Sequence, residues 1–313
     1  LKNGEAIGVL TGVPVPIGTA AVVPSELVKL EKETLSLPFP IRPNLNIKQP
    51  GEDIKQGELL ALPGKIITAG MISALLAYGV NQAFVYRKPR VAILGLTSHV
   101  VNSLNHLKTG QILDSNGPLL KALITRDGGE VITSRFPIDD AINIEEILKE
   151  VDLIITVGGT FAIGKCEAIN FLKKLKTKLL FWGVKMKPGS HVGAGIWEDK
   201  LILCLSGNPM ACAVGYELLV GPIIAKMQSL PYTSTHVLAT CTNSINLSQQ
   251  KVPRFIYGKA NCNVDGWEVN IFSGQKSSMI HPLIDGNVLI EIPVGATGIA
   301  AGSSVPIRLL GTW

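Results

Sequence analysis

The stretch DLIITVGGTFAIGKC (residues 152–166) decides the fold class of this chain. Its apolar part is typical of a strand buried on both faces of a parallel sheet, and the glycines after it lead into a helical pattern. The chain repeats this strand–helix unit. Strands are predicted at 91–96, 129–136, 152–157, 179–186 and within 200–209, and helices at 117–125, from 143, at 167–175 and at 211–227. Such repetition predicts a doubly wound α/β sheet that binds ligands at the carboxyl ends of its strands.

Different patterns flank this α/β region. The first 88 residues are rich in Gly, Pro and β-branched residues and predict a small β-rich unit, with one helix at 68–78 that ends at Gly79. After Leu230-Pro231 short strands alternate with Gly turns, and no further helix is predicted, which is typical of a small β barrel. We therefore predict a multidomain α/β protein with a β-rich segment at 1–88, an α/β domain at 89–228 and a β barrel at 229–313.

Composition and charge exclude several classes of protein. The 313 residues are 46% apolar and 17% charged, unlike a disordered chain or a coiled coil. Basic residues exceed acidic ones by 29 − 24 = 5 without forming a block, so a small anionic ligand is expected rather than a nucleic acid. Apolar runs fall short of the roughly 20 residues of a membrane helix, and no signal peptide opens the chain, so we expect a cytoplasmic protein that does not enter a membrane. Because the chain begins at Leu1 without an initiator Met, we expect that an upstream part is missing.

The cysteines and histidines give no metal or catalytic pattern. His99 and His191 have no partner at ligand spacing and are interpreted as ordinary histidines. The cysteines are scattered and predict buried or free thiols rather than a disulfide or zinc site: Cys166, Cys204, Cys212, Cys241 and Cys262.

The glycine-rich turn allows a second interpretation. Gly159–Lys165 has the spacing G-x-x-x-x-G-K between a strand and a helix, as in a phosphate-binding P-loop. The next residue is Cys166 instead of Ser or Thr, and a thiol is a poor ligand for Mg²⁺. A turn that offers amide N–H groups to a phosphate is therefore favoured, and a P-loop nucleotide-binding protein is a remote alternative.

Polar residues also stand at other predicted strand ends. Asp114, Ser115 and Asn116 precede a helix, where they either cap it or bind a ligand. Lys185 and Lys187 next to a Pro-Gly turn favour an anion site.

Two further turns complete the set. In SGNP, Gly207 allows close backbone approach and Asn208 can cap a helix or form a hydrogen bond. Near the N-terminus, Thr11 precedes a P-x-P segment, and Glu52 and Asp53 either bind Mg²⁺ or form a simple polar turn.

Six motifs occur in the order found in one family: TGVPVP (11–16), GEDI (51–54), GQILDSN (110–116), VGG (157–159), FWGVKMKPG (181–189) and SGNP (206–209). From Leu1 to Leu310 the chain resembles the molybdenum-insertion enzymes of molybdenum-cofactor synthesis, the MoeA and gephyrin E-domain family. Three later segments extend the resemblance: PRF (253–255), SGQKSSM (273–279) and NVLIEIP (287–293).

The resemblance implies a fold and a reaction. The fold is a MogA-like molybdopterin-binding α/β domain followed by a C-terminal β barrel. In the implied reaction, adenylylated molybdopterin and molybdate bind, the phosphoanhydride is hydrolysed with Mg²⁺, AMP leaves, and the dithiolene ligates molybdenum. The resemblance also implies a homodimer with a shared site, and contact with other proteins of molybdenum-cofactor synthesis.

Site roles follow for the residues that match the family's motifs. Asp53, Asp114 and Lys187 are expected to be catalytic, and Asp53, Asp114 and Glu167 to bind the metal. Residues expected to bind the cofactor are Thr11, Ser115, Asn116, Gly158, Gly159, Gly207, Asn208 and Pro209.

Several charged positions of the family are replaced. Ser98 and His99 stand where the family has an acidic pair, and Gly183 and Ser190 stand where it has Lys. The loop at 158–164 is one residue longer than the family's G-G-x-S-x-G and lacks its Ser, and the N-terminal D-G-[YF]-A segment is absent. A second hypothesis is therefore a non-catalytic molybdopterin-binding or scaffold protein. The length of the resemblance favours the transferase.

Overall fold

The computed structural model describes residues 1–137, 144–160, 166–230 and 235–311. Contacts divide the chain into two compact units, Leu1–Pro63 and Gly64–Trp313. The second unit contains the α/β sheet and the barrel.

The N-terminal unit is mostly extended chain joined by turns. Its residues are all described, and they form one sheet, in which β1 (Lys29–Glu31) pairs antiparallel with β2 (Thr34–Ser36). Elsewhere, hydrogen bonds such as that from Val22 N to Leu45 O (2.9 Å) join distant segments. The many prolines explain why extended chain outweighs regular strand, because proline has no N–H to donate to a strand ladder.

The α/β region contains a six-stranded sheet flanked by helices. Along the chain the elements are α1 (Ala69–Ala77), β3 (Arg90–Gly95), β4 (Val100–Val101), β5 (Ile112–Leu113), α2 (Asn116–Arg126), β6 (Glu130–Arg135), α3 (Ile144–Lys149), β7 (Leu153–Val157), α4 (Glu167–Lys174), β8 (Lys178–Trp182), β9 (Gly193–Trp197), β10 (Lys200–Leu205), α5 (Pro209–Gly215) and α6 (Gly221–Met227). The strand order is β6-β3-β7-β10-β9-β8. The α/β prediction is confirmed.

The edge of the sheet differs from the prediction. The strand predicted at 179–186 ends at Trp182, and β9, which was not predicted, lies antiparallel between β10 and β8. The GAGIW sequence of β9 has two glycines and therefore gives a weak strand signal. Because two antiparallel pairings restore the direction, β8 points the same way as β10, and its carboxyl end lies at the same edge of the sheet.

Apolar side chains cover both faces of the sheet. Ile155 and Leu203 pack in a core with residues of α2 and the helices after β10, whereas Ile154 and Ile202 pack with α3 and α4. Every residue of β7 is buried, as expected for a central strand. Burial of each such side chain contributes about 1.5–3 kcal/mol. The strand ends are therefore held firmly, and the loops that follow them carry the candidate site.

The helical run Pro209–Met227 connects the sheet to the barrel. It consists of α5, a π-helical segment at Tyr216–Val220, and α6. Within the described residues, it is the one helix whose length and composition would suit a membrane span, but 61% of its apolar window is buried inside the fold. This burial is typical of a core helix.

The C-terminal region forms a closed barrel, as predicted. Its elements are β11 (His236–Cys241), β12 (Ile245–Asn246), β13 (Arg254–Asn263), β14 (Gly266–Ile271), α7 (His281–Asp285), β15 (Val288–Ile292), β16 (Gly298–Ile299) and β17 (Ser304–Leu309). The closed order is β11-β14-β13-β15-β17. The prediction that helices end before the barrel is wrong, because α7 lies within it. Five residues are too few to show a helical period in the sequence.

Candidate active site

Three strand ends meet at one edge of the sheet. Gly95 of β3 and Leu205 of β10 both lie level with Val157 of β7. The segments after these strands contain several of the polar and glycine residues predicted to bind a ligand. Their position agrees with the rule that open α/β sheets bind ligands outside the carboxyl ends of the strands.

The turn after β7 requires glycine. Gly158 and Gly159 have φ angles of 81° and 63°, in the left-handed region. A Cβ on Gly159 would lie 2.7 Å from Glu167 Oε2, and a Cβ on Gly207 would lie 3.2 Å from the Gly158 Cα. The backbones after β7 and β10 thus approach too closely for side chains, an arrangement typical of loops that surround a phosphate.

The P-loop interpretation loses support at this turn. Phe161–Lys165 lie outside the described residues, so Lys165 is not located. Cys166 donates its thiol to Gly159 O at 3.1 Å, which ties the side chain to the backbone of the turn. A P-loop would use the corresponding hydroxyl to bind Mg²⁺.

The D-S-N loop is fixed by both of its polar ends. Asp114 Oδ1 accepts a hydrogen bond from Gly117 N at 2.8 Å, which caps the start of α2. Burial raises the pKa of Asp114 above its ordinary value, against the opposing effect of backbone N–H groups of Gly117 and Asn116. Asn116 Nδ2 donates to Gly207 O at 2.8 Å and so links this loop to the S-G-N-P turn. Ser115 is exposed beside them.

Asn116 retains an unused acceptor. The residue is 7% exposed, and its Oδ1 has no hydrogen-bond partner in the part of the chain that the structure describes. Unsatisfied buried acceptors are rare in folded proteins. A donor from a ligand or an ordered water would satisfy it.

The barrel brings Arg254 to the same edge. Lys187 lies beyond β8, where its N donates to Pro253 O at 2.9 Å and its O accepts from Phe255 N at 2.7 Å. Lys187 and Arg254 therefore form a bridge of parallel strand pairing. Lys185 and Lys187 are both exposed, so the positive charge predicted at this turn faces outward.

A second barrel loop reaches the start of α5. Ser277 O accepts from Met210 N at 3.1 Å, and Ser277 Oγ accepts from Asn208 Nδ2 at 3.3 Å. Asn208 thus makes a hydrogen bond to the barrel, while Pro209 occupies the first turn of the helix. The S-G-N-P turn consequently contacts the D-S-N loop on one side and the barrel on the other.

Lys187 and Arg254 each place a positive charge at this edge. Among the described residues, neither Lys187 nor Arg254 forms an ion pair. Arg254 donates to the backbone oxygen of Gln275 at 2.8 Å, and burial lowers the pKa of its guanidinium. Cations without acidic neighbours suit an oxyanion ligand.

The remaining predicted residues belong to the N-terminal unit and to α4. Asp53 accepts a hydrogen bond from Lys48 Nζ at 2.7 Å within the N-terminal unit, where Thr11 is exposed. Glu167 lies in the first turn of α4. The described residues include no group of three or more His, Cys, Asp and Glu side chains arranged to hold a metal. The metal-binding role of Asp53, Asp114 and Glu167 therefore stays a prediction.

Sequence reasoning did not assign Arg254 and Ser277 to the site. Both lie in segments, PRF and SGQKSSM, that resemble the family but show no chemistry by themselves. Their partners, Lys187 and Asn208, precede them by many residues along the chain. The signal that could have indicated them is that these two segments carry a cation and hydroxyl groups, whereas the neighbouring barrel strands are mainly apolar.

Three family models match successive parts of the chain. Residues 1–79 match the MoeA N-terminal region (domain I and II), residues 96–226 a probable molybdopterin binding domain, and residues 242–310 the MoeA C-terminal region (domain IV).

Individual relatives agree with these matches. A molybdopterin molybdenumtransferase of Staphylococcus aureus is 30% identical over 310 residues, covering 97% of this chain and 74% of that protein. Its counterpart in Staphylococcus epidermidis is 32% identical over 319 residues, covering 99% and 75%. The crystal structure of the molybdopterin biosynthesis MoeA protein from Pyrococcus horikoshii OT3 superposes with a TM-score of 0.72 at 28% identity, covering 98% of this chain and 76% of that one.

Proposed function

The chain belongs to the MoeA family of molybdopterin molybdenumtransferases, and we propose that it inserts molybdenum from molybdate into adenylylated molybdopterin with release of AMP. In this reaction the phosphoanhydride is hydrolysed, AMP leaves, and the dithiolene sulfurs of molybdopterin ligate molybdenum. The protein must therefore hold a phosphate-bearing pterin and an oxyanion close to each other.

The pairing of Lys187 with Arg254 carries this proposal. Backbone hydrogen bonds of 2.9 and 2.7 Å fix the two residues side by side, and neither cation has a carboxylate partner among the described residues. Molybdate carries two negative charges and four oxygen acceptors. We propose that Lys187, Arg254 and the hydroxyl of Ser277 form the molybdate subsite, which we call the oxyanion subsite.

The strand-end turns supply the molybdopterin subsite. We propose that the Gly158-Gly159 turn and Gly207 surround the phosphate, since the backbone there approaches too closely for side chains. Asn116 can accept a hydrogen bond from the pterin through its Oδ1, which has no partner among the residues that the structure describes. The linked D-S-N and S-G-N-P loops would then hold both ends of one ligand.

Mg²⁺ fits the donor set at this edge. Asp114 and Glu167 offer hard carboxylate oxygens, and Mg²⁺ is often held by one or two carboxylates together with substrate phosphates. When bound, the ion would neutralise charge on the phosphoanhydride. Asp114 contributes a carboxylate already held by Gly117 N, whereas the part of Asp53, in the N-terminal unit, is a separate proposal.

A homodimer is also part of the proposal. The N-terminal unit exposes large apolar side chains, including Ile17 (96% exposed) and Leu10 (79%). Exposed apolar surface of this kind is typical of a protein interface, and a second copy is the commonest partner.

A cytoplasmic location and contact with other proteins of molybdenum-cofactor synthesis remain proposals implied by the family. The non-catalytic scaffold is not favoured, because relatives named molybdopterin molybdenumtransferase match 97% and 99% of this chain.

Molybdate-dependent AMP release tests the function. The purified protein is incubated with adenylylated molybdopterin and Mg²⁺, with and without molybdate, and AMP is quantified. Release that requires molybdate supports the transferase. Lys187→Ala should raise the KM for molybdate, whereas Lys178→Ala, an exposed lysine at the opposite end of β8, should not. A protein that binds the pterin but releases no AMP would instead be a binding protein.

A further inference from the structure

Three side-chain amides in the barrel make the same contact with the backbone. Each donates to the carbonyl and accepts from the N–H of a single strand residue. Asn287 does so with Ala260 (2.8 and 2.8 Å), and Asn243 with Ile271 (2.9 and 2.9 Å). Gln275 does so with Tyr257, at 2.7 Å to the carbonyl and 2.9 Å from the N–H. Such paired bonds replace a missing strand neighbour.

Gln275 has contacts that the two asparagines lack. Its Nε2 also donates to Phe272 O at 2.8 Å, and its own backbone oxygen accepts from Arg254 at 2.8 Å. The residue is 6% exposed and lies in the segment 273–279, two residues before Ser277. The side chain is therefore buried and fully bonded, while the backbone on either side contacts the candidate site.

We propose that Gln275 is a positioning residue for the oxyanion subsite. Its side chain anchors the segment 273–279 to β13, and the anchored backbone fixes the positions of the Arg254 guanidinium and the Ser277 hydroxyl. The proposal rests on the proposed function, because it assigns these two groups to molybdate. Gln275 itself does not contact the ligand in this account.

The geometry explains why a positioning residue is needed. Segment 273–279 contains no regular strand or helix, so no backbone ladder fixes it. Arg254 stands at the first position of β13, and its guanidinium bonds to the backbone of that segment. Without the Gln275 amide, the carbonyl that accepts from Arg254 would lose its anchor to β13, and Ser277 would be held only by its bonds to Met210 and Asn208.

The test compares two matched isosteric variants of the full chain. Gln275→Met and Asn287→Leu each remove one amide clamp while keeping side-chain size. Both should lower stability, because each leaves a backbone N–H and carbonyl without partners. Only Gln275→Met should weaken molybdate binding, by about tenfold or more in equilibrium dialysis, with a rise in KM for molybdate and a smaller change in kcat.

The outcomes separate this proposal from the proposed function. Equal molybdate affinities for Gln275→Met and Asn287→Leu would overturn the positioning role, even if the wild type releases AMP normally. Molybdate binding without AMP release would count against the transferase, while the ratio of affinities still decides the role of Gln275. A wild type that binds no molybdate would overturn both. If Gln275→Met does not fold, Gln275→Asn, one methylene too short to reach Tyr257, replaces it with the same expected result.

Discussion

Replacing Gly117 with Ala would test the D-S-N loop directly. The new Cβ would overlap Asp114 Oδ2 and would lie 3.0 Å from Phe136 Cε2. Phe136 is 6% exposed and held by the core, whereas the Asp114 carboxylate ends a short side chain that can rotate. The carboxylate is therefore the group that moves. Its movement breaks the 2.8 Å hydrogen bond from Gly117 N to Asp114 Oδ1.

The expected loss follows from that hydrogen bond. A bond to a charged group typically contributes about 1.5–3 kcal/mol, which corresponds to a fall of about 10- to 150-fold in kcat/KM if Asp114 must be held in place. Stability should change less, because replacing a helical Gly with Ala gains up to about 1 kcal/mol and offsets the crowding. Gly70→Ala in α1, where a Cβ meets nothing within 4 Å, measures the helical gain alone.

Kinetics and urea unfolding would be measured on the wild type, Gly117→Ala, Asp114→Ala and the double variant. If Gly117→Ala acts through Asp114, the double variant should be no slower than Asp114→Ala. If the activation free energies lost in the two single variants add in the double variant, Gly117→Ala does not act through Asp114. Wild-type kcat/KM in Gly117→Ala would show that the carboxylate need not stay in the position that the structure gives it.

Three further predictions concern stability and reactivity. Glu217→Ala removes the bidentate partner of Arg126 (2.8 and 3.1 Å) and should lower the free energy of unfolding in urea by about 2–3 kcal/mol. This is less than the roughly 3–5 kcal/mol lost when a fully buried ion pair is broken, because Asp127 still pairs with Arg126. A loss below about 0.5 kcal/mol would contradict this prediction. Burial raises the pKa of Cys204 to about 11, so a disulfide reagent should label exposed Cys262 in the native protein and Cys204 only after denaturation, and rapid native labelling of Cys204 would argue against its burial. Burial also raises the pKa of Asp114, so the stabilisation that the protonated carboxyl gives the fold at low pH is lost as the pH rises through the native pKa. Asp114→Asn should therefore melt no lower than the wild type at neutral pH, and a lower melting temperature would show that the ionised carboxylate stabilises the fold instead.

The sequence was informative where one local signal dominated. The run LIITV is apolar throughout, and the structure buries all of it in β7. The helix predicted at 167–175 forms at Glu167–Lys174, with an acid in its first turn and lysines in its last. In both cases the local pattern and the tertiary environment favour the same structure.

The sequence was less informative where packing decides the structure. The strand GAGIW pairs with two neighbours although its glycines favour no strand, because Gly193 and Gly195 lie where a Cβ would meet Trp182 and Thr177 side chains. The π-helical segment at Tyr216–Val220 also has no local signal. Its side chains bond to the last residue of α2 and to Asp127, which follows that helix, as in the 2.8 Å bonds from Arg126 to Glu217 and from Tyr216 OH to Asp127.

The candidate site divides in the same way. Residues that directly follow strands could be predicted, because the sheet topology brings the carboxyl ends of neighbouring strands together. Arg254 and Ser277 could not, since they lie in the C-terminal barrel region, far along the chain from the strands of the sheet. Their position depends on backbone pairing between Lys187 and the start of β13, and on a loop held by a buried amide.

The replaced family positions should affect Mg²⁺ and the anionic ligands differently. Ser98 and His99, which stand where the family has acids, are both exposed in the loop after β3. If the proposed reaction uses Mg²⁺, loss of carboxylates there would remove candidate ligands for the ion, but it would also remove negative charge that repels molybdate and phosphate. Lys187 and Arg254 remain without carboxylate partners among the described residues. We therefore expect the replacements to raise the Mg²⁺ concentration that turnover requires, while molybdate binding, which we propose depends on Lys187 and Arg254, is retained.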